Sequence, residues 1–294
     1  MFIATLIASS RTLGADDLSR AADAIAGVGG IAGKPEWLDE GVAADLPFAR
    51  IDPSSARAAL EGLLPQVDVI VQPRAGRVKK LLLADMDSTM ITCECIDELA
   101  DYAGIKDQIA AVTESAMRGE LDFEAALTAR VALLGGMDAA MIDRCREERV
   151  KLMPGARALI QTMRANGARA VLVSGGFTVF AEPVAEAIGF HRALANRLEI
   201  EADKLAGRVA LLIVGSDAKR ETLLAEIADL GITAAEAMAV GDGANDIPMI
   251  QAAGLGVAYH GKPKTAAAAG ARIDHGDLTA LLYAQGYKRA DWVE

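Results

Sequence analysis

The sequence predicts an α/β protein with a doubly wound, Rossmann-like parallel sheet, a helical cap inserted after its first core strand, and a small α+β unit before it. Three observations predict this class. After residue 79, short apolar β-rich runs alternate with helical stretches. Residues 93–150 show helical periodicity without a strand signal, and the first 72 residues follow the order βαββαβ.

The first 72 residues predict a small sandwich of the ferredoxin-like type. The predicted elements are a strand at Phe2–Ala8, a helix at Asp17–Ala26, extended segments near 36–38 and 42–48, a helix at 55–64 and a strand at 67–71. This order is similar to that of the ACT-like domains that bind amino acids beside metabolic enzymes, which implies ligand binding or homodimer formation through the sheet. An appendage without a ligand is an equal alternative.

Residues 73–78 predict a linker, because Pro, Gly and two Arg separate two apolar runs there. Residues 79–294 then form the predicted core. Its strands are expected at Leu81–Asp85, Ala168–Val173, Ala237–Gly241 and Leu255–Ala258. The helical stretch at 93–150, with apolar positions such as Phe123, Leu127 and Val131, is too long for a plain connection. We expect it to cover the carboxyl ends of the strands, where open α/β sheets bind ligands.

Composition excludes several classes of protein. The 294 residues are 52% hydrophobic, and 30 Lys+Arg against 41 Asp+Glu give a net charge of −11, which disfavours nucleic-acid binding. Three cysteines suit a reducing compartment better than a disulfide framework. No apolar run reaches the roughly 18 residues of a membrane span, and the N-terminus lacks a basic leader. The expectation is a soluble cytoplasmic protein.

Two acidic clusters follow apolar strands. Asp85 and Asp87 end the first core strand, and Asp242 and Asp246 lie in the segment Gly-Asp-Gly-Ala-Asn-Asp after another. Each alone is compatible with a solvated strand end or a capped turn. Together, carboxylates from parallel strands predict an all-oxygen site suited to Mg²⁺.

Two further features could bind an anion. The segment Ser174-Gly175-Gly176 ends a predicted strand before a helix, and so would present backbone N–H groups. Lys219 lies near the start of a later helix; a lone Lys there is more often a solvated surface residue.

In this order and spacing, the motifs resemble the haloacid dehalogenase-type phosphatases over about residues 79–285. The features that carry the resemblance are Asp-x-Asp-Ser-Thr at 85–89, Ser-Gly-Gly at 174–176, Lys219, and Gly-Asp-Gly-x-Asn-Asp at 241–246. More narrowly, the phosphoserine phosphatases of that family are similar at Glu94, 96–98, Met117, 121–124 and 130–131.

The resemblance implies a magnesium enzyme with one Mg²⁺ per site. Asp85 would be the nucleophile that forms an aspartyl-phosphate, and Asp87 the general acid and then base. The metal would be held by the carboxylates of Asp85 and Asp242 and by the backbone carbonyl of Asp87. Asp246 would act through a water or by positioning Lys219. The expected phosphate-binding groups are Ser174, the Gly175 N–H, Lys219 and Asn245.

The resemblance also implies the substrate, phosphoserine, and a place at the last step of serine biosynthesis. Glu94 would bind its ammonium group and Arg130 its carboxylate, while Met117 and Phe123 would form an apolar lid. The similarity of the N-terminal unit to ACT-like domains would permit regulation by serine bound there. The alternatives are a phosphatase or phosphotransferase for another small phosphomonoester, and a receiver-like phosphoacceptor module. The second acid at Asp87 and the long cap disfavour the receiver.

Overall fold

The computed structural model describes residues 1–118, 120–210 and 213–293. Its first 73 residues form five strands and two helices. In chain order these are β1 (Phe2–Ala8), α1 (Ala15–Gly27), β2 (Ile31–Ala32), β3 (Glu36–Asp39), β4 (Ala43–Ala49), α2 (Pro53–Leu60) and β5 (Val67–Pro73). The chain therefore follows the βαββαβ order, with the second strand split into the short strands β2 and β3.

The N-terminal sheet is antiparallel around its central strand. β1 pairs with β4 on one side and β5 on the other, and both β2 and β3 pair with β4. α2 begins two residues earlier than predicted, because Asp52 accepts a hydrogen bond from the Ser55 N–H at 2.9 Å and Pro53 suits the first helical turn. The ferredoxin-like classification of this unit stays a prediction.

The remaining chain builds a six-stranded parallel sheet, so the predicted α/β class is confirmed. Its strands are β6 (Leu81–Ala84), β7 (Arg169–Phe177), β8 (Arg192–Asn196), β11 (Ala237–Gly241), β12 (Leu255–Tyr259) and β13 (Ala271–Ile273), in the order β13-β12-β11-β6-β7-β8. The associated helices are α7 (Ala156–Ala165), α8 (Thr178–Ile188), α9 (Ser216–Leu230), α10 (Ile247–Ala252), α11 (Pro263–Ala268) and α12 (Ala280–Gln285).

Both faces of this sheet are buried, which explains why its central strands β6 and β11 lack polar residues. On β6, Leu82 and Ala84 face one apolar cluster, while Leu81 and Leu83 face the other. The first cluster includes side chains from α7, α8 and α12, and the second includes Leu223 of α9 and Met249 of α10. β6 is an interior strand of the sheet, between β11 and β7.

The cap lies between β6 and α7 in the chain. It consists of α3 (Cys95–Ala103), α4 (Lys106–Met117), α5 (Phe123–Leu133) and α6 (Ala140–Arg149). A hairpin of the core, β9 (Leu198–Glu201) and β10 (Lys204–Val209), bonds to it: the Gly136 N–H donates to the Leu205 carbonyl, and the Leu205 N–H to the Met137 carbonyl, both at 2.8 Å. The cap is therefore held to the core by backbone pairing.

The N-terminal unit contacts the edge of the core through buried polar groups. Asp68 of β5 accepts hydrogen bonds from the N–H groups of Asp274, His275 and Gly276, the strongest at 2.7 and 2.8 Å. The Gln72 amide donates to the Ala284 carbonyl at 2.7 Å. The division at 73–78 stays a prediction. Across the described ranges, every helix is too short or too polar to cross a membrane.

Candidate active site

The two predicted acidic strand ends lie side by side. β6 ends at Ala84, which is in register with Val240 of β11, and the Asp85 N–H donates to the Val240 carbonyl at 3.0 Å. Asp85 and Asp242 therefore follow neighbouring strands at the same edge of the sheet. With Asp246 they form a buried group in which one carboxylate oxygen of each residue lies within 4.8 Å of the other two.

Lys219 is fully buried between two of these carboxylates. Its Nζ lies 2.7 Å from Asp85 Oδ1 and 2.6 Å from Asp246 Oδ1. Burial lowers the pKa of Lys219, but the two carboxylates outweigh it and raise the pKa above its ordinary value. The lysine is thus a permanent cation of the site rather than a surface residue.

The chain is tightly packed where β11 ends, and this explains why the last residue of that strand is a glycine. Asp246 Oδ2 accepts the Gly243 N–H at 3.0 Å, which turns its carboxyl group back toward the strand. A Cβ at Gly241 would overlap the Asp246 side chain. Asn245, on the same loop, is half-buried.

Asp87 lies beside this group, in contact with the start of the cap. Its Oδ1 accepts the Cys95 N–H at 2.9 Å, and its Oδ2 accepts the Ser174 hydroxyl at 3.4 Å. Burial, followed by the charge of Glu94, raises the pKa of Asp87 to about 6. A carboxyl group with this pKa can both donate and accept a proton near neutral pH.

The residues present fit a hard divalent cation. Burial and then the neighbouring Asp246 raise the pKa of Asp242 to about 6, and the same two causes raise the pKa of Asp85. The positive charge of Lys219 alone does not offset the negative charge of the clustered carboxylates. A bound cation would offset the remainder, and Mg²⁺ prefers oxygen ligands of this kind.

The Ser174-Gly175 segment lies beside the acids, within a longer strand than predicted. β7 continues past Val173 to Phe177 with a register irregularity, because Asn196 of β8 holds this segment. The Asn196 amide donates to the Gly175 carbonyl at 2.8 Å and accepts the Val214 N–H at 2.7 Å. Asn196 is a residue that the sequence did not single out.

The cap brings the remaining predicted residues over the sheet edge. Glu94 accepts the Ser88 hydroxyl at 2.7 Å. Arg130 is half-buried; burial lowers its pKa, while Asp97, Glu94 and Asp87 act on it as nearby negative charges. The ring of Phe123 lies against the backbone of Gly175 and Gly215. Glu94, Arg130 and Phe123 thus surround the space above Asp87.

Three further residues bear on the site; the sequence analysis assigned a role to one of them and not to the other two. The role assigned to Met117 depends on a side chain outside the described part of the chain. Lys262 was not anticipated; its Nζ lies 3.7 Å from Asp242 Oδ2, and its N–H donates to the Asp242 carbonyl at 3.0 Å. Asp97, half-buried on α3, lies in the segment 96–98 that carries the resemblance but was assigned no role; burial and Glu94 raise its pKa. The sequence signal for Asp97 was its position one turn after Glu94.

Comparison with known proteins decides the family. A model of haloacid dehalogenase-like hydrolases matches residues 82–251, a range that includes the acidic clusters, the cap and Lys219. The chain belongs to the haloacid dehalogenase-like hydrolase family. A phosphoserine phosphatase from Polaromonas sp. is 44% identical to this hydrolase over 208 residues, which is 69% of this chain and 88% of that protein.

Two further relatives extend the similarity. A phosphoserine phosphatase from Streptomyces coelicolor is 43% identical over 82% of this hydrolase, which spans 59% of that longer protein. The solved, unliganded structure of a probable phosphoserine phosphatase from Vibrio cholerae is 32% identical, with a TM-score of 0.78, and the match covers 99% of this hydrolase and 87% of that chain. The similarity to solved structures therefore includes the N-terminal residues.

Proposed function

We propose that this hydrolase cleaves O-phosphoserine to serine and inorganic phosphate, with Mg²⁺ as cofactor and an aspartyl-phosphate on Asp85 as intermediate. The observation that carries the proposal is the placement of two kinds of group at one sheet edge. Asp85, Asp242, Asp246 and Lys219 form the reacting centre. The cap adds one acid and one base, Glu94 and Arg130, and the similar phosphoserine phosphatases support the choice of substrate.

Asp85 is the group best placed to attack phosphorus. Its Oδ1 is occupied by the Met86 N–H at 2.8 Å and by Lys219, which directs Oδ2 toward the substrate. Asp85, Asp242 and the Asp87 carbonyl would hold the metal, which supplies positive charge for a reaction between two anions. Lys219 and the Ser174-Gly175 segment stabilise the charge on the transferred phosphoryl group.

Asp87 transfers protons in both half-reactions. With a pKa of about 6, part of its population carries the proton that the leaving serine oxygen needs. After serine departs, the resulting carboxylate removes a proton from the water that hydrolyses the aspartyl-phosphate. The Cys95 N–H fixes the orientation of Asp87 during both steps.

The cap residues match the two charges of the amino-acid part of the substrate. A carboxylate at Glu94 pairs with an ammonium group, and the guanidinium of Arg130 binds a carboxylate through two parallel hydrogen bonds. Phe123 closes the space above Gly175 and excludes water while the ester bond is broken. An ester without these two charges would gain nothing from Glu94 and Arg130.

The test is phosphate release, with and without Mg²⁺, from phosphoserine, phosphothreonine and an aryl phosphate. Asp85→Asn should lower turnover of all three by about 10³ or more, because the nucleophile is lost. Glu94→Gln and Arg130→Ala should lower kcat/KM for phosphoserine by about a hundredfold and leave the aryl phosphate nearly unchanged.

Exposed cap residues provide matched controls. Glu124→Gln and Arg144→Ala remove the same charges from exposed positions on α5 and α6 and should leave kcat/KM for phosphoserine unchanged. Equal loss on the aryl phosphate for the Glu94 and Arg130 variants would contradict the substrate assignment and favour another phosphomonoester. Full activity of Asp85→Asn would contradict the mechanism.

A further inference from the structure

An open cavity of about 820 Å³ lies between the N-terminal unit and the core. Ile7 of β1 and Val42, directly before β4, line it on one side, and residues of α7, α12 and the C-terminal segment line it on the other. The described residues that line it include neither the acidic cluster nor Glu94 or Arg130. The cavity is therefore separate from the candidate active site, and its size is that of sites for small organic molecules.

Part of the cavity wall is apolar and aromatic. The rings of Tyr283 and Trp292 lie 5.0 Å apart between their centroids. The Tyr283 hydroxyl donates to Asp39 Oδ2 at 2.7 Å, so its polar end already has a partner. Ile7 and Ala280 add aliphatic surface. This part of the wall suits the apolar body of a ligand.

The charged groups of the cavity favour an anion. Arg157, in the first turn of α7, is exposed and forms no ion pair with an acid in the described part of the chain. Arg289 also lines the cavity, with its guanidinium carbon 4.6 Å from the centre of the Trp292 ring. Asp277 is the only acid among the described lining residues, and its Oδ1 accepts the Thr279 N–H at 2.8 Å. Two guanidinium groups against one carboxylate give a local positive excess in a chain with a net charge of −11.

We propose that this cavity binds a small organic anion, namely a carboxylate with an aromatic or aliphatic body. Arg157 binds the carboxylate through two parallel hydrogen bonds, and the apolar body lies against Tyr283 and Trp292. An inorganic anion would lack the apolar contact, and a neutral analogue would lack the charge. The proposal does not rest on the proposed function, because the cavity contains no residue of the reacting centre.

The cavity also reaches the segment through which the cap returns to the core. Leu152 and Met153 line it. The Met153 N–H donates to the Met90 carbonyl at 2.9 Å, and Leu152 forms a bridge with Ile91. A bound molecule would thus contact the N-terminal unit, the core and the base of the cap. Because the cavity exists only when these parts are folded together, binding should raise the Tm.

The experiment measures binding to the full-length protein by isothermal titration calorimetry. Phenylacetate and hexanoate carry an aromatic or an aliphatic body, whereas phenylacetamide lacks the charge and acetate lacks the body. Phenylacetate or hexanoate should bind about tenfold or more tightly than the two control probes and should raise the Tm. Trp37→Phe leaves Trp292 as the single Trp of the chain, so its emission should change during the same titration.

Variants locate the binding site. Arg157→Ala should weaken binding by about tenfold or more, because the carboxylate loses its charged partner. Ala158→Leu, which fills part of the cavity, should weaken it as well. Arg220→Ala removes the same charge from an exposed position on α9 and should bind as the wild type does. Arg130→Ala should also keep its affinity, since Arg130 belongs to the candidate active site.

Four outcomes would overturn the proposal. These are the absence of both saturable heat and a higher Tm with phenylacetate and hexanoate, equal binding of phenylacetamide and phenylacetate, unchanged affinity in Arg157→Ala, and loss of binding in Arg130→Ala. The last outcome would place the probe in the candidate active site. None of these measurements uses catalysis, so they decide the question even if the chain does not hydrolyse phosphoserine.

Discussion

At the scale of single residues, Lys219 has the greatest effect on the charge balance of the site. It is fully buried and lies within 2.7 Å of oxygens of both Asp85 and Asp246. Lys219→Met removes the only cation in direct contact with these two carboxylates among the described residues. We expect the free energy of unfolding without metal to fall by about 3 kcal/mol, because two buried carboxylates lose their positively charged partner. Urea unfolding at pH 7 measures this change.

The same variant tests whether the carboxylate group binds Mg²⁺. Since Mg²⁺ would replace part of the missing positive charge, it should raise the Tm of Lys219→Met more than the Tm of the wild type. Lys262→Met is the matched control: Lys262 lies 3.7 Å from Asp242 but is largely exposed, so its loss should cost less than about 1 kcal/mol. Equal Mg²⁺-induced shifts in Lys219→Met and wild type would contradict this account of the site.

At the scale of elements, the β9–β10 hairpin controls how the cap sits on the core. Gly207 has φ +72°, and a Cβ there would lie 3.2 Å from the Gly135 Cα of the cap. Gly207→Ala should therefore separate the two segments, speed amide hydrogen exchange at Gly136 and Leu205, and raise KM for phosphoserine. Hydrogen exchange followed by mass spectrometry, with steady-state kinetics, measures both effects.

Gly231→Ala separates this effect from backbone strain. Gly231 has φ +61°, but nothing lies within 4 Å of a Cβ at that position. Both variants should lose about 1–2 kcal/mol through the unfavourable positive φ. Faster exchange at the cap amides in both would show that the Gly135–Gly207 contact does not hold the cap.

The elements also show where sequence reasoning succeeds. The fully apolar strands β6, β11 and β12 were predicted within one residue of their ends, because both faces of the sheet are buried. The same pattern located the acids, because carboxylates that directly follow an apolar run mark the end of a buried strand. The positions of the strand ends and of the acidic residues were therefore predicted together.

Other features depend on contacts far apart in the chain. α9 buries Lys219, Thr222 and Glu226 beside Leu223, so its inner face has no apolar period. Glu226 is held there by ion pairs with Arg169 and Arg192 from β7 and β8. From the residues alone, Lys219 was therefore expected on the surface, and only the family resemblance placed it in the site. Asn196 had no signal at all, because its role requires β8 to lie beside β7.

At the scale of the whole molecule, Asp68 joins the N-terminal sheet to the core. It is 3% exposed and accepts three backbone N–H groups from the loop after β13. Ile7, Leu38 and Ile70 of the N-terminal unit belong to the same apolar cluster as the core side chains. A polar connection inside a shared apolar cluster couples the two parts, so we expect the wild type to unfold in a single transition.

Asp68→Ala leaves these three N–H groups without their acceptor at a buried contact. We expect the free energy of unfolding to fall by about 3 kcal/mol and the N-terminal unit to unfold first, which would divide the calorimetric transition in two. Asp23→Ala removes the same charge from an exposed position on α1 and should change neither quantity. Because the loop after β13 lies at the far edge of the sheet from β7 and β8, kcat for phosphoserine at 25 °C should stay near the wild-type value. A single transition at the wild-type Tm would mean that the apolar contacts alone hold the two parts together.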